Sequence, residues 1–264
     1  MTPHPIASSA LDFALQVERL YSTLIEDAKP SEPAEPDLHE EPSLGGKLLY
    51  AGELVPHGRA LLVAANIAGA ASLAASADPA AQKQAIRDGV ADFLVNSLDE
   101  ALRILKNEVR KREAVAVCVA MAPEAVEREM LERGVLPDLL PRTQLPPAPA
   151  GQVLVTWTVT SAPAQWLPRL DALAIDCLRK SFAGQPGIAG RWLRLAPRYL
   201  GRLAQNFRLL HCQQDVANDF VSRAQSAVNH GEIGVEVRIS VGDNQDVFRP
   251  SSEPATGPAN SLTC

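Results

Sequence analysis

The chain has 264 residues, of which 46% are hydrophobic and 5% aromatic, and its formal net charge is −6 at pH 7. This length allows one large domain or two small ones, with a core built from small and branched aliphatic side chains. The acidic balance excludes a general nucleic-acid-binding protein, because affinity for phosphates requires clustered lysines and arginines.

The distribution of apolar residues and of cysteines bears on the compartment in which the protein is expected. No N-terminal apolar run resembles a signal peptide, and the longest apolar stretch, Ala60–Ala77, is interrupted by polar residues and a glycine. The four cysteines lie far apart, without a CxxC pair. We therefore expect a soluble, cytoplasmic protein with free thiols and no membrane span.

The first 45 residues divide into a helix and a linker. Apolar residues recur at helical spacing over Ser9–Ala28, with Ser8 or Ser9 as the cap. Lys29–Ser43 contains four prolines and five acidic residues, a composition that cannot form a packed core. We predict an N-terminal helix within residues 1–28 and an acidic, proline-rich linker at 29–45.

Residues 46–141 alternate short apolar runs with amphipathic segments. The runs predicted as strands are Lys47–Ala51, Ala71–Ala75, Phe93–Val95 and Val115–Val119. Alternating units of this kind form a parallel sheet covered by helices, and ligands bind at the carboxyl ends of its strands. The predicted fold class is α/β: a Rossmann-like parallel sheet of about five strands flanked by helices, with a smaller C-terminal α/β segment.

That C-terminal segment is predicted at 151–242, after a proline-rich boundary. Its expected strands and helices, from period-2 and helical patterns, are strands at Gln152–Thr160 and Val235–Val241 and helices at Trp166–Lys180, Gly190–Leu210 and Asp215–His230. Residues 243–264, rich in Ser, Pro, Asn and Gly, are predicted to be a disordered tail.

Three blocks of residues 47–140 occur in a characteristic order: AANIAGAASL at Ala64–Leu73, SLDEAL at Ser97–Leu102 and ERGVLPDL at Glu132–Leu139. Together they resemble the Rossmann-like domain of the urocanase (urocanate hydratase) family. The last block is similar to an RRGVRPD segment that precedes the family's catalytic loop. In that family the domain holds a tightly bound NAD, so the resemblance implies this fold and NAD as the candidate cofactor.

The turn after the first strand departs from the family. There the resemblance implies repeated glycines, which let main-chain amides approach a dinucleotide pyrophosphate at a helix start. This chain has GELVPHGR at Gly52–Arg59. Pro56 removes an amide donor and Glu53 adds negative charge, although proline suits the first turn of a helix. We predict a helix start without a phosphate cradle.

Two further departures concern the ribose and the reaction. The acidic residue that the family places after the second strand, for the adenosine ribose, falls at Ser76, with Asp78 two positions further on. The family's DQTSAHD-like active-site segment is replaced by PRTQL at Pro141–Leu145, and the flanking sequence shows no match to the family's large catalytic core. Hydration of urocanate is not expected, the catalytic residues are unknown, and no cofactor is expected, with NAD as the alternative.

Two sets of residues are candidates for binding. The first, at the strand ends, could hold a cofactor, a phosphate or a carboxylate, or form only a helix-start turn. The second recurs at helical spacing and could dock an acidic partner, an anionic ligand or a membrane surface. For this second set we favour a solvated face neutralised by the acidic linker. The sets are Gly52, His57, Gly58, Arg59 and Ser76, and Arg191, Arg194, Arg198 and Arg202.

The neighbours His211 and Cys212 form a pair that could bind a metal or act in redox chemistry. A zinc or redox site of this kind needs a second pair with ligand spacing, and the sequence has none. We predict no metal site.

Three functions remain open. The leading hypothesis is a divergent, non-catalytic member of the urocanase family that binds a small anion, a nucleotide or a partner protein. The alternative is an NAD-dependent lyase related to urocanate hydratase, of histidine catabolism, with a remodelled cofactor loop. The third is a structural protein that binds an acidic partner through its N-terminal helix and basic C-terminal face. Homo-oligomerisation is left open.

Overall fold

The computed structural model describes residues 8–28, 42–140, 144–182 and 187–250. The helices are α1 (Ser8–Asp27), α2 (Pro56–Ala68), α3 (Pro79–Arg87), α4 (Leu98–Lys111), α5 (Pro123–Glu132), α6 (Pro163–Ser181), α7 (Gly187–Leu200) and α8 (Gln214–Asn229), with a 3₁₀ turn at Gly201–Ala204. The strands are β1 (Leu48–Glu53), β2 (Ala71–Ala75), β3 (Phe93–Val95), β4 (Val115–Val119), β5 (Val153–Val159), β6 (Phe207–Cys212), β7 (Val237–Val241) and β8 (Asn244–Phe248).

The first four strands form a parallel sheet in the order β1-β2-β4-β3. The predicted number of about five strands is therefore too high by one. The fifth position, beside β1, is held by a single residue, Leu139, which accepts from Tyr50 N at 3.0 Å and donates to Leu48 O at 3.1 Å. Pro137 stands two positions before it, and a proline cannot donate to a strand ladder.

Helices cover both faces of this sheet, because the side chains of its strands alternate. Leu49, Ala51 and Ala74 point into the cluster that contains α2, whereas Tyr50 and Leu73 point into the cluster formed with α4 and α5. The α/β, Rossmann-like fold class is confirmed.

Helix α2 is the centre of the molecule. All of residues 60–68 are buried, because α2 lies between the sheet and the helices α1 and α7. A helix with neighbours on every side needs short side chains for close packing, and this explains its alanine-rich sequence. Within the described ranges, no helix is long and apolar enough to cross a membrane.

The predicted linker lies outside the described residues as far as 41. Its last residues pack against the domain: Leu44 is buried and its N–H donates to Ala68 O at 2.7 Å. The end of the predicted 29–45 linker is therefore part of the packed structure, because it satisfies a carbonyl at the C-terminus of α2.

The C-terminal part forms an antiparallel sheet in the order β6-β5-β7-β8, with α6 and α8 packed on it. Trp157 of β5 packs against Phe220 of α8, with ring centroids 4.9 Å apart. This sheet is separate from the parallel one.

Two predictions for this part are wrong. The helix expected over Gly190–Leu210 ends at Leu200, and Phe207–Cys212 is the strand β6. Nearly all of β6 is buried, so it lacks the alternation that identifies a strand. The disorder expected from residue 243 is wrong for the first part of that segment, because Asn244–Phe248 pairs with β7 through a short turn at Gly242, whose φ is +56°. Residues 251–264 lie outside the described part.

Candidate functional site

The turn between β1 and α2 stands at the carboxyl edge of the parallel sheet. Gly52 has a φ of +72° and follows a register shift in β1, so it shapes the end of the strand. Gly58 lies against the strand itself: a Cβ there would overlap the carbonyl oxygen of Glu53 and come within 3.2 Å of that of Ala51. Gly52 thus allows the backbone to turn at the end of β1, and Gly58 allows α2 to pack closely against that strand.

The residues between these glycines do not form an open cradle. Leu54 is buried in the core, and its N–H donates to Ala75 O at 3.2 Å. Val55 is the N-cap residue of α2 and provides no side-chain cap, and Pro56 has no N–H. A pyrophosphate site at a helix start needs free amides and small side chains. This turn does not fit a dinucleotide held in that way.

His57 and Arg59 are directed toward other elements. A guanidinium nitrogen of Arg59 lies 2.5 Å from a carboxylate oxygen of Asp88, the C-cap residue of α3. His57 Nδ1 lies 3.2 Å from Gln16 Nε2 of α1. Both side chains therefore connect α2 to its neighbours.

Ser76 follows β2 and is buried. Its Oγ accepts from Asp78 N at 3.2 Å, and its carbonyl accepts from Gln82 Nε2 at 2.7 Å. Asp78 is the N-cap of α3, with its two carboxylate oxygens accepting from Ala80 N and Ala81 N at 2.8 and 3.3 Å. Both carboxylate oxygens of Asp78 thus already serve the start of α3, a cap worth about 1 kcal/mol.

The four arginines predicted as one basic face have different surroundings. Arg191 is half-buried, and its Nε donates to Ile67 O at 2.8 Å, where the C-terminus of α2 attracts a cation. Arg194 and Arg202 are exposed. The Arg198 guanidinium lies 5.4 Å from the centre of the Tyr199 ring.

Arg198 and Tyr199 line a groove of about 940 Å³ that the sequence did not predict. Its other walls are the C-terminal half of α4 and the amino ends of β3 and β4, so it lies at the opposite edge of the sheet from the β1–α2 turn. Three cations of α4, Arg103, Lys106 and Arg110, line it. Their helical spacing in the sequence is the signal from which a basic face on α4 could have been predicted.

A buried acid–imidazole pair joins α1 to β6. His211 Nδ1 lies 2.7 Å from a carboxylate oxygen of Glu18, and both side chains are almost fully buried. They border a cavity of about 70 Å³ together with Tyr21 and Ser22. His211 therefore makes a structural contact between α1 and β6, which are distant in the sequence.

The three thiols in the described part of the chain are not suited to nucleophilic or metal chemistry. Burial raises the pKa of Cys118 to about 11 and the pKa values of Cys177 and Cys212 to about 12. Such thiols stay protonated at neutral pH, whereas metal ligands and nucleophiles are thiolates. No group of three or more His, Cys, Asp and Glu among the described residues could hold a metal ion.

Comparison with known proteins gives one family. The model of the urocanase Rossmann-like domain matches residues 34–145, which contain the whole parallel sheet and its four covering helices. No curated protein matches the chain.

Proposed function

We propose, from the premise that residues 34–145 are a urocanase-family Rossmann-like domain, that this protein is a divergent, non-catalytic relative of the urocanases. It acts by binding a small anion, a nucleotide or a partner protein. Its Rossmann-like fold serves as a scaffold for binding surfaces.

The closed β1–α2 turn carries this proposal. Gly58 packs on the carbonyl of Glu53, Leu54 fills the core below, and Pro56 removes one of the amides that a pyrophosphate would use. The side chains that could have contacted a dinucleotide, those of Arg59 and Asp78, hold Asp88 and the start of α3 instead. Each group expected at a cofactor site thus has a structural partner.

The direct test is analysis of the purified full-length protein for bound cofactor. Heat-denatured protein is removed and the supernatant is examined by mass spectrometry, while the native protein is assayed for loss of urocanate absorbance. We expect no stoichiometric NAD and no turnover, with or without added NAD. One NAD per chain would overturn the proposal.

The alternative, an NAD-dependent lyase with a remodelled loop, is favoured by one observation: Gly52 and Gly58 remain in the turn, and α2 still begins there, at Pro56. It requires that NAD raise the melting temperature, since a ligand at 100 times its Kd stabilises the folded state by about 2.7 kcal/mol.

The variant Val55→Asp distinguishes the non-catalytic proposal from the NAD-dependent lyase. Val55 is 45% exposed and has extended φ and ψ angles, which suit a capping residue. If the turn binds nothing, aspartate caps α2 and raises the free energy of unfolding by about 1 kcal/mol. If NAD binds there, the new negative charge abolishes the NAD-dependent rise in melting temperature.

Val55→Ser is the matched control, because serine also caps the helix but adds no charge. Both variants are unfolded in urea with and without NAD. Equal stabilisation of both, with no effect of NAD, supports the non-catalytic proposal. A rise caused by NAD in the wild type and in Val55→Ser, but absent from Val55→Asp, contradicts it.

A further inference from the structure

The groove at the amino edge of the parallel sheet is lined by cations from two helices. Arg103, Lys106 and Arg110 occupy positions i, i+3 and i+7 of α4, so they share one face and span about 10 Å along the helix. Arg198 reaches the same groove from the end of α7. All four residues are exposed.

The three α4 cations have no hydrogen bond or salt bridge with any residue of the described ranges. Arg103 and Lys106 act only at a distance on Asp99, whose pKa is lowered mainly by its hydrogen bond with Arg133. Unpaired cations that converge on one groove attract an anion more strongly than scattered surface charges do.

The carboxylates of the groove are already engaged. Asp92 accepts from Ala116 N at 2.8 Å, at the amino end of β4. Glu108 accepts from Lys111 Nζ and from its neighbour Asn107 Nδ2, both at 2.8 Å. Because four cations and two carboxylates line it, the groove carries a net positive charge in a chain whose net charge is −6.

Apolar and aromatic surface completes the groove. Phe93, at the start of the edge strand β3, is 48% exposed, and Tyr199 and Ile104 also line the groove. An aromatic face is the surface on which a planar base stacks, for about 1–3 kcal/mol per base. The volume of about 940 Å³ is that of a site for a small organic ligand.

We propose that this groove binds a nucleoside polyphosphate, with the phosphates on Arg103, Lys106, Arg110 and Arg198 and the base against Phe93. A simple inorganic anion would leave the exposed aromatic surface unused. The inference narrows the binding part of the proposed function to one ligand class, and it stands at the opposite edge of the sheet from the family's cofactor site.

The test is calorimetric titration of the full-length protein with ATP and, separately, with inorganic tripolyphosphate. Arg103→Gln/Lys106→Gln removes two of the four cations. We expect it to weaken the affinity for both ligands about ten-fold, equivalent to about 1.4 kcal/mol. The matched control is Lys83→Gln/Arg87→Gln, two exposed cations of α3 outside the groove, which leaves both affinities within two-fold.

The variant Phe93→Thr tests whether the base of the ligand stacks on Phe93. Threonine keeps the preference for a strand, and we expect the variant to weaken ATP binding about five-fold, as loss of stacking implies, while tripolyphosphate binding stays unchanged.

Several results would overturn the inference. They are no binding of either ligand at millimolar concentration, equal binding by the Arg103→Gln/Lys106→Gln variant, ATP binding that is indifferent to Phe93→Thr, or binding of polyglutamate in preference to ATP. NAD binding that is lost in Val55→Asp but unaffected by Arg103→Gln/Lys106→Gln would contradict the proposed function only. The groove proposal is tested separately, by the ATP and tripolyphosphate titrations.

Discussion

Gly58→Ala is expected to lower the free energy of unfolding by about 3 kcal/mol or more, the cost of forcing an extra carbon against fixed backbone. At an ordinary helical position the same change stabilises a protein by up to about 1 kcal/mol, because alanine is the better helix former. Here the new Cβ would overlap the carbonyl oxygen of Glu53, which is the last residue of β1. The measurement is urea unfolding at neutral pH.

Gly234→Ala is the control for this experiment. Its added Cβ would meet only the Trp166 ring, at an ordinary distance of 3.6 Å, so we expect a change below about 1 kcal/mol. If Gly58→Ala were as stable as the wild type, α2 would not lie so close to β1. The turn would then have room for a ligand, and the non-catalytic proposal would lose its main support.

The parallel sheet could be predicted from the sequence because its strands are short, mostly apolar runs separated by helices with recognisable start signals. Asp78 and Ser97 are the N-caps of α3 and α4, and Pro56 and Pro123 stand at the starts of α2 and α5. Local signals of this kind depend on residues close together in the chain.

The errors arose where tertiary packing overrides local pattern. Strand β6 packs against α7, α1 and α6 as well as pairing with β5, so nearly all of its residues are buried and its sequence shows no alternation. Strand β8 is an edge strand of mostly exposed polar residues, and such a sequence resembles a loop. Its pairing with β7 becomes visible only when the turn at Gly242 is known.

The site was the least predictable part, because its contacts join distant residues. Arg59 and His57 had the character of ligand-binding groups, but Arg59 is paired with Asp88 and His57 with Gln16. No sequence signal reveals such partners. The loss of the glycine-rich turn, by contrast, could be predicted, because it depends on the identities of consecutive residues.

A buried charged cluster holds the C-terminal part together. Asp171 of α6 accepts from Trp157 Nε1 at 3.2 Å and from Arg208 Nε at 3.0 Å, and Arg208 also donates to the carbonyls of Ala204 and Phe207. Burial raises the pKa of Asp171 to about 6, while Arg208 acts in the opposite direction. The cluster links α6, β5 and β6.

Arg208→Gln is expected to lower the free energy of unfolding by about 3 kcal/mol at pH 8, because it leaves a buried carboxylate without its cation. For an acid with a raised pKa, stability is fully present below the unfolded pKa of about 3.9 and is lost as the pH rises through the folded pKa. Removing Arg208 raises the folded pKa of Asp171 further. The loss should therefore grow between pH 6 and pH 8 and be smaller at pH 5.

The measurement is urea unfolding of the wild type and the variant from pH 5 to pH 8. Arg223→Gln, which removes the partly exposed pair with Asp219, should cost less than about 1 kcal/mol and show no such trend. Adding Asp171→Asn to Arg208→Gln should remove the pH dependence, since no carboxyl group remains to titrate. If the loss in Arg208→Gln were the same at every pH, the stabilisation would come from the carbonyl contacts of Arg208, and the charge of Asp171 would have no part in it.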